Sequence, residues 1–351
     1  MPEHSPQQDA HYFLTRGEYY QAEGLPGHAL RAFNRAVELA PKEAEPYFGR
    51  SECHRRSGRL REAIHDLEMA VALDPWNPEA YVMLAQNLSE REKTEEALSL
   101  LSHAIRLDPS WSRTYLVRGD IRARLGDLAP AIQDYQRASQ LDPENVEILL
   151  ALADIHVEAK EAPAALATLN RAAKLRPHYG WVYLYRGDLH ARQEDSGAAL
   201  IDYDRAMRLL PASVEPRLSR GHLLLRMGRH DDALDDYEWA VERAPENPEA
   251  QYGLAECYWQ CGRSREALDA YTRSIEGGLA EAGVFLGRAE VLAAIGRRDE
   301  AIEDCNRAVE LDPENPEIYA ARGSLYLEGE RLEEAQRDLD RALGLSPRMT
   351  D

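Results

Sequence analysis

The sequence predicts an all-α fold, an α-solenoid of ten helix-turn-helix hairpins, and three observations carry that expectation. Prolines fall on a grid of 34 residues, at 41, 75, 109, 143, 177, 211, 245, 313 and 347, with Leu279 at the one missed point. Counting back from them gives ten abutting units with no insertion: 10–43, 44–77, 78–111, 112–145, 146–179, 180–213, 214–247, 248–281, 282–315 and 316–349. Within each unit apolar and small residues return at helical spacing in two runs separated by a short polar turn. Self-similarity at such a period marks a repeat array. Residues 1–9 are expected to form a disordered leader and 350–351 a tail.

In order along a unit, the first run carries an aromatic in most units: Phe13, Tyr47, Tyr81, Tyr115, Tyr183, Phe285 and Tyr319. Four positions later comes a small residue, as Gly17, Ser51, Ala85, Gly119, Ala153, Gly187, Gly221, Ala255, Ala289 and Gly323. The turn often holds glycine (Gly24, Gly58, Gly126, Gly228, Gly262, Gly296), and the second run has two small rows, from Ala29 to Ala335 and from Ala36 to Ala342, broken only by Ser274. Small residues let helix backbones approach, so these rows are expected at the helix crossings. The closing proline stops the second helix because it lacks an N–H and clashes with the preceding turn.

Taken together, these residues resemble the tetratricopeptide repeat pattern, matched in phase ten times over 340 of 351 residues. The resemblance implies a right-handed superhelix whose first helices line a concave groove with the second helices outside. It also implies a role in binding protein segments rather than catalysis.

One row is unusual. Just before the small residue of the first run stand Arg16, Arg50, Leu84, Arg118, Leu152, Arg186, Arg220, Leu254, Arg288 and Arg322. Sixteen residues after each come Ala32, Asp66, Leu100, Asp134, Thr168, Asp202, Asp236, Ala270, Asp304 and Asp338. Six of the seven arginine units carry the aspartate and none of the three leucine units does, so the two positions co-vary within one chain. Structural ion pairs Arg50–Asp66, Arg118–Asp134, Arg186–Asp202, Arg220–Asp236, Arg288–Asp304 and Arg322–Asp338 are therefore expected across the hairpins. Arg16, facing Ala32, is the exception. Gln336 replaces the leucine or isoleucine found after the first alanine row in the other units, which reads as a polar cap on a terminal repeat. Gly277 and Gly278 close the eighth unit where the proline is missing, and read either as a hinge or as a tolerated helix end.

The stretch HYGWVYLYRG, from His178 to Gly187, concentrates rings in a chain that is 7% aromatic. Tyr183 fills the shared aromatic position, but Trp181 stands where most units have glutamate (Glu45, Glu79, Glu147, Glu215, Glu249, Glu317). Tyr185 stands where most units have small or aliphatic residues. The resemblance places the Trp181 position and those three, seven and ten residues later in the groove. The row three later is apolar, including Leu150, Leu184, Leu218 and Tyr252. The row seven later is acidic in seven of ten units, including Asp154, Asp188 and Glu256, with His222 in the seventh unit. Candidate partner-binding residues are thus Leu150, Asp154, Trp181, Leu184, Tyr185, Asp188, Leu218, His222, Tyr252, Glu256 and Trp259. For the aromatic members, inter-repeat packing is the competing reading. Trp239 replaces an arginine seen in most units and is read as a contact on the outer face.

Composition bounds the function. A formal net charge of −20 repels a phosphate backbone, so nucleic acid is not an expected partner. No apolar run approaches the length of a membrane span, the opening MPEHSPQQD has no apolar core and does not read as a secretory signal, and Cys53, Cys257, Cys261 and Cys305 are too scattered for a disulfide framework. A monomeric cytoplasmic protein is the expectation. No phosphate loop, HExxH spacing or other catalytic constellation is present, so no enzyme activity, cofactor or metal is expected, Cys257 and Cys261 reading as packing residues. The sequence reads as a scaffold or adaptor whose groove takes a basic, partly apolar segment of a partner protein. The alternative is a self-associating structural array.

Overall fold

In the computed structural model, residues 6–345 are described. The first five leader residues, the last residues of the tenth unit and the 350–351 tail lie outside the described residues. The chain forms two compact units, Met1–Arg176 and Pro177–Asp351. The first holds α1 (Pro6–Ala22), α2 (Pro26–Leu39), α3 (Ala44–Arg56), α4 (Leu60–Leu73), α5 (Pro78–Glu90), α6 (Thr94–Leu107), α7 (Ser112–Arg124), α8 (Leu128–Leu141), α9 (Val146–Glu158) and α10 (Ala162–Leu175). The second holds α11 (Gly180–Arg192), α12 (Ser196–Leu209), α13 (Glu215–Arg226), α14 (His230–Arg243), α15 (Pro248–Gln260), α16 (Ser264–Glu276), α17 (Ala282–Ala294), α18 (Arg298–Leu311), α19 (Pro316–Glu328) and α20 (Leu332–Leu345). Each unit is an all-α solenoid of five hairpins. One boundary differs from the expected leader: residues 6–9 are already helical, because Pro6 suits a first helical position and Asp9 complements the helix dipole there.

The proline grid has a structural partner. The hydroxyls of Tyr47, Tyr115, Tyr183 and Tyr319 donate to the carbonyls of Pro41, Pro109, Pro177 and Pro313 at 3.1–3.2 Å. Gln251 Nε2 makes the same bond to Pro245 at 2.9 Å. The side chain at this position therefore satisfies the carbonyl of the proline just past the preceding helix. First helices begin on asparagine caps at Asn77, Asn145, Asn247 and Asn315, whose side chains accept from the first-turn amides. The hairpin turn needs a left-handed residue: Gly58 sits at φ 71°, and Glu92, Lys160, Glu194 and Glu330 adopt φ of 59–63° at the corresponding positions. At the eighth hairpin, Gly278 takes φ 100°, and the Leu279 amide returns to the Ser274 carbonyl at 3.1 Å. The glycine pair is thus a closed helix end between α16 and α17, which belong to one unit.

Neighbouring hairpins are joined by a single large side chain. Phe33 on α2 is fully buried, and a Cβ placed on Gly17 of its own hairpin or on Gly49 of the next would come within 2.6 and 2.5 Å of its ring. Tyr237 lies in the same way between Gly221 and Gly253, and the Tyr271 ring blocks a side chain on Gly287. Inside each unit successive first helices also meet, as α1 with α3, α5 with α7 and α15 with α17. Second helices do not pack on one another to that extent, so the first helices line the inner face of each unit.

The arginine row forms bidentate pairs. In Arg50–Asp66, Arg118–Asp134, Arg186–Asp202, Arg220–Asp236, Arg288–Asp304 and Arg322–Asp338, Nε donates to Oδ2 and Nη2 to Oδ1 at 2.6–2.9 Å. The aspartates are buried, and the fork geometry satisfies both carboxylate oxygens. The third guanidinium nitrogen reaches the preceding hairpin: Nη1 of Arg50, Arg220 and Arg322 donates to Asn34, Asp204 and Asn306 at 2.6–3.1 Å. Each of these arginines thus ties its own hairpin shut and stitches it to the one before. Asp202→Ala removes both fork bonds of Arg186 and is expected to cost about 3 kcal/mol. Thr168 holds the same position in a leucine unit and only returns its hydroxyl to the Ala164 carbonyl, so Thr168→Ala is expected to cost under about 1 kcal/mol. Urea denaturation of the two variants checks this, and equal losses would contradict it.

Candidate partner-binding grooves

The candidate residues do not gather into one site. Leu150 and Asp154 lie on α9 of the first unit, half-buried and exposed respectively, and the other nine belong to the second. Leu184 and Leu218 are buried at 6% and 5% exposure within apolar clusters. They are core, because they pack on Tyr203 and Tyr237 of their own hairpins, and are closed to a ligand. Trp181 is half-buried against the Leu184 cluster, and Trp259 and Tyr252 are half-buried against the cluster around Tyr271 and Val284. Tyr185 keeps 45% of its surface exposed. Trp239 is held by cations, with the Arg217 and Arg243 guanidinium carbons 4.4 and 3.7 Å from its ring centroid. Elsewhere the roles are reversed, Arg205 and Arg341 lying over Tyr183 and Tyr319. Ring and cation have exchanged helices in the seventh hairpin, so Trp239 is accounted for by internal packing.

The acidic row divides by what lies behind it. Tyr135 and Tyr203 donate their hydroxyls to Asp120 and Asp188 at 2.8 Å, and Tyr271 donates to Glu256. In these hairpins the groove carboxylate is tied to the second helix. In the seventh hairpin the matching residue is His222, and the buried Tyr237 hydroxyl has no hydrogen-bond partner. Surrounding protein raises Asp188 above the usual carboxylate range, while hydrogen bonds from Tyr203 and Ser219 pull it partly back. Asp120 is raised for the same reason, with Tyr135 opposing. The Cys257 thiol, fully buried, is pushed up to about 12 by burial, which keeps it protonated at neutral pH.

Two of the clefts among the described residues open on the inner faces. Asp188 and His222 meet in one of about 260 Å³ in the second unit, lined also by Arg192, Arg226, Ser219 and Tyr203. Its charge is mixed. The larger, about 550 Å³, lies in the first unit over α1, α3, α5 and α7. Five glutamates, Glu18, Glu45, Glu52, Glu79 and Glu90, surround Phe48 and Met83, with Arg55 and Arg113 as the cations. Arg55 is already committed to Glu52 at 2.7 Å. Sequence reasoning missed this cleft because it followed aromatic outliers. The signal was available in the rows themselves, since Glu45 with Glu79 and Glu18 with Glu52 stand in consecutive units.

Tetratricopeptide repeat models match residues 14–78, 218–282, 54–119, 123–185 and 316–349, and a TPR repeat model matches 289–329. A search of curated protein sequences finds no significant match. Among solved structures, the chain is similar to one described as the APC/C hetero-tetramer Cut9-Hcn1, with 13% identity, TM-score 0.58, and coverage of 98% of this chain and 88% of that one. It is also similar to pilF of Pseudomonas aeruginosa, with 20% identity, TM-score 0.52, and coverage of 61% and 97%. At these identities the likeness concerns the fold. No described helix is long and apolar enough to cross a membrane.

The raised Asp188 gives a signed prediction. Its charged form is disfavoured in the folded state, so it contributes stability below its unfolded pKa and loses it as pH rises through the folded value. Asp188→Asn keeps an oxygen for the Tyr203 hydroxyl and removes that loss. The variant is expected to melt higher than wild type at neutral pH, with the difference vanishing where Asp188 is protonated. Melting curves across the acid range check this, and a difference independent of pH would contradict it.

Proposed function

Because the chain belongs to the tetratricopeptide repeat family and is a protein-interaction scaffold, we propose that its inner face binds a basic, partly apolar segment of a partner protein, and that the first unit carries the principal site. The observation behind this reading is the cleft in which five glutamates ring Phe48 and Met83. Apolar floor and acidic rim together suit side chains such as leucine alternating with lysine or arginine. Charge complementarity of this kind steers encounter and rejects acidic partners more than it adds raw affinity. In the second unit Leu184 and Leu218 are covered, Tyr185 and His222 are exposed, and Trp181, Asp188, Tyr252, Glu256 and Trp259 are half-buried.

The test uses a fluorescein-labelled peptide in which lysine and leucine alternate, with a glutamate-leucine peptide as control. Wild type should bind the basic peptide, more weakly as salt is raised. The double variant Glu52→Lys, Glu79→Lys, with helicity verified, should bind it at least tenfold more weakly, about 1.4 kcal/mol. Equal binding of both peptides, or an unchanged affinity in the double variant, would overturn the reading.

A further inference from the structure

The first hairpin breaks the arginine–aspartate rule, and the break leaves an opening. Arg16 occupies the position that in six other hairpins grips an aspartate, but Ala32 stands where the carboxylate would be. The space is a cavity of about 350 Å³ lined by Phe13, Arg16, Tyr20, His28, Arg31 and Ala32. Two guanidinium groups and an imidazole face it, and no carboxylate lines it. The fork edge of Arg16 is only half used. Nε and Nη2, which elsewhere take one carboxylate oxygen each, converge on the single Tyr20 hydroxyl at 3.0 and 2.8 Å. The remaining Nη1 donates to the Tyr12 hydroxyl at 3.1 Å. A neutral phenol oxygen is a weaker acceptor for a guanidinium than a carboxylate, whose bidentate bonds are charge-assisted. Arg31 lies 3.2 Å from His28 Nδ1 and adds a second cation at the mouth.

We propose that this cavity is a socket for a carboxylate presented by an acidic segment of a partner protein, which takes the place on Arg16 that aspartate takes in the other hairpins. The argument is an internal precedent: six copies of the same backbone geometry hold a carboxylate at 2.6–2.9 Å on the same two nitrogens. The incoming group would displace the Tyr20 hydroxyl from the fork edge and leave it free to donate to the carboxylate. Because Ala32 is small and no acidic side chain lines the cavity, only the neutral Tyr20 hydroxyl competes for the fork. This socket faces α2 rather than the acidic cleft and takes ligand of the opposite sign, so it stands independently of the groove reading.

The discriminating variant is Ala32→Asp, which rebuilds the internal pair and plugs the socket with the chain's own carboxylate. The probe is a fluorescein-labelled peptide of six glutamates, with a six-glutamine peptide as control, measured by anisotropy at physiological salt. Wild type is expected to bind the glutamate peptide and not the glutamine one. Ala32→Asp and, as a second variant in case the first misfolds, Arg16→Gln should each weaken it at least tenfold. The Nε–Hε NMR signal of Arg16 should shift on titration of wild type and be already shifted in Ala32→Asp. Absence of binding to wild type, affinity in the two variants undiminished from wild type, or preference for inorganic phosphate over the peptide in competition would each overturn the assignment.

Discussion

A buried side chain on the second helix holds each hairpin to the next within each unit. The residue three before the second small row, such as Phe33, Leu67, Tyr203 or Tyr237, sits on the second helix and points into the seam between first helices. A hairpin cannot bury such a residue alone; the next hairpin must close over it, which is why repeat arrays draw their stability from nearest neighbours. The small row beginning at Gly17 exists to admit it from its own side, and Gly49, Gly253 and Gly287 admit it from the next. Arginine forks and tyrosine–proline bonds then satisfy the polar groups that this close approach would otherwise strand.

The same side chain sets what the inner face can offer. Where it is tyrosine, its hydroxyl claims the groove carboxylate, as for Asp120, Asp188 and Glu256. Where it is Phe33 or Leu67, it has no hydroxyl, and Glu18 and Glu52 face the cleft without that tether. A row acidic in seven of ten units is therefore tied to the second helix in some hairpins and not in others. The cleft of five glutamates lies over the first hairpins, where Glu18 and Glu52 lack that tether.

Much of this architecture was legible in the chain. The 34-residue period specified every hairpin, and the co-variation of arginine with aspartate pointed to pairs that lie 2.6–2.9 Å apart. The candidate site was less legible, because accessibility is a property of neighbours. Leu184 and Leu218 occupy a groove row yet are covered by the tyrosines of their own second helices. Trp239 and Arg217 each look anomalous alone and make sense only as an exchanged pair. A further regularity was in the letters and unread: tyrosine or phenylalanine in the seam is followed sixteen residues later by glycine, alanine or serine. Leu67 and Leu101, by contrast, are followed by Met83 and Val117.

That size rule is the most direct test of the account. In a double-mutant cycle, Gly253→Ala alone should cost about 2 kcal/mol, because the new Cβ overlaps the Tyr237 ring and overpacks a closed seam. Tyr237→Leu combined with Gly253→Ala should recover most of that cost, since leucine followed by a larger residue is a pairing the chain already uses. Coupling of about 1 kcal/mol or more between the two sites is the predicted result. Strictly additive losses would mean that the seam residue does not join neighbouring hairpins.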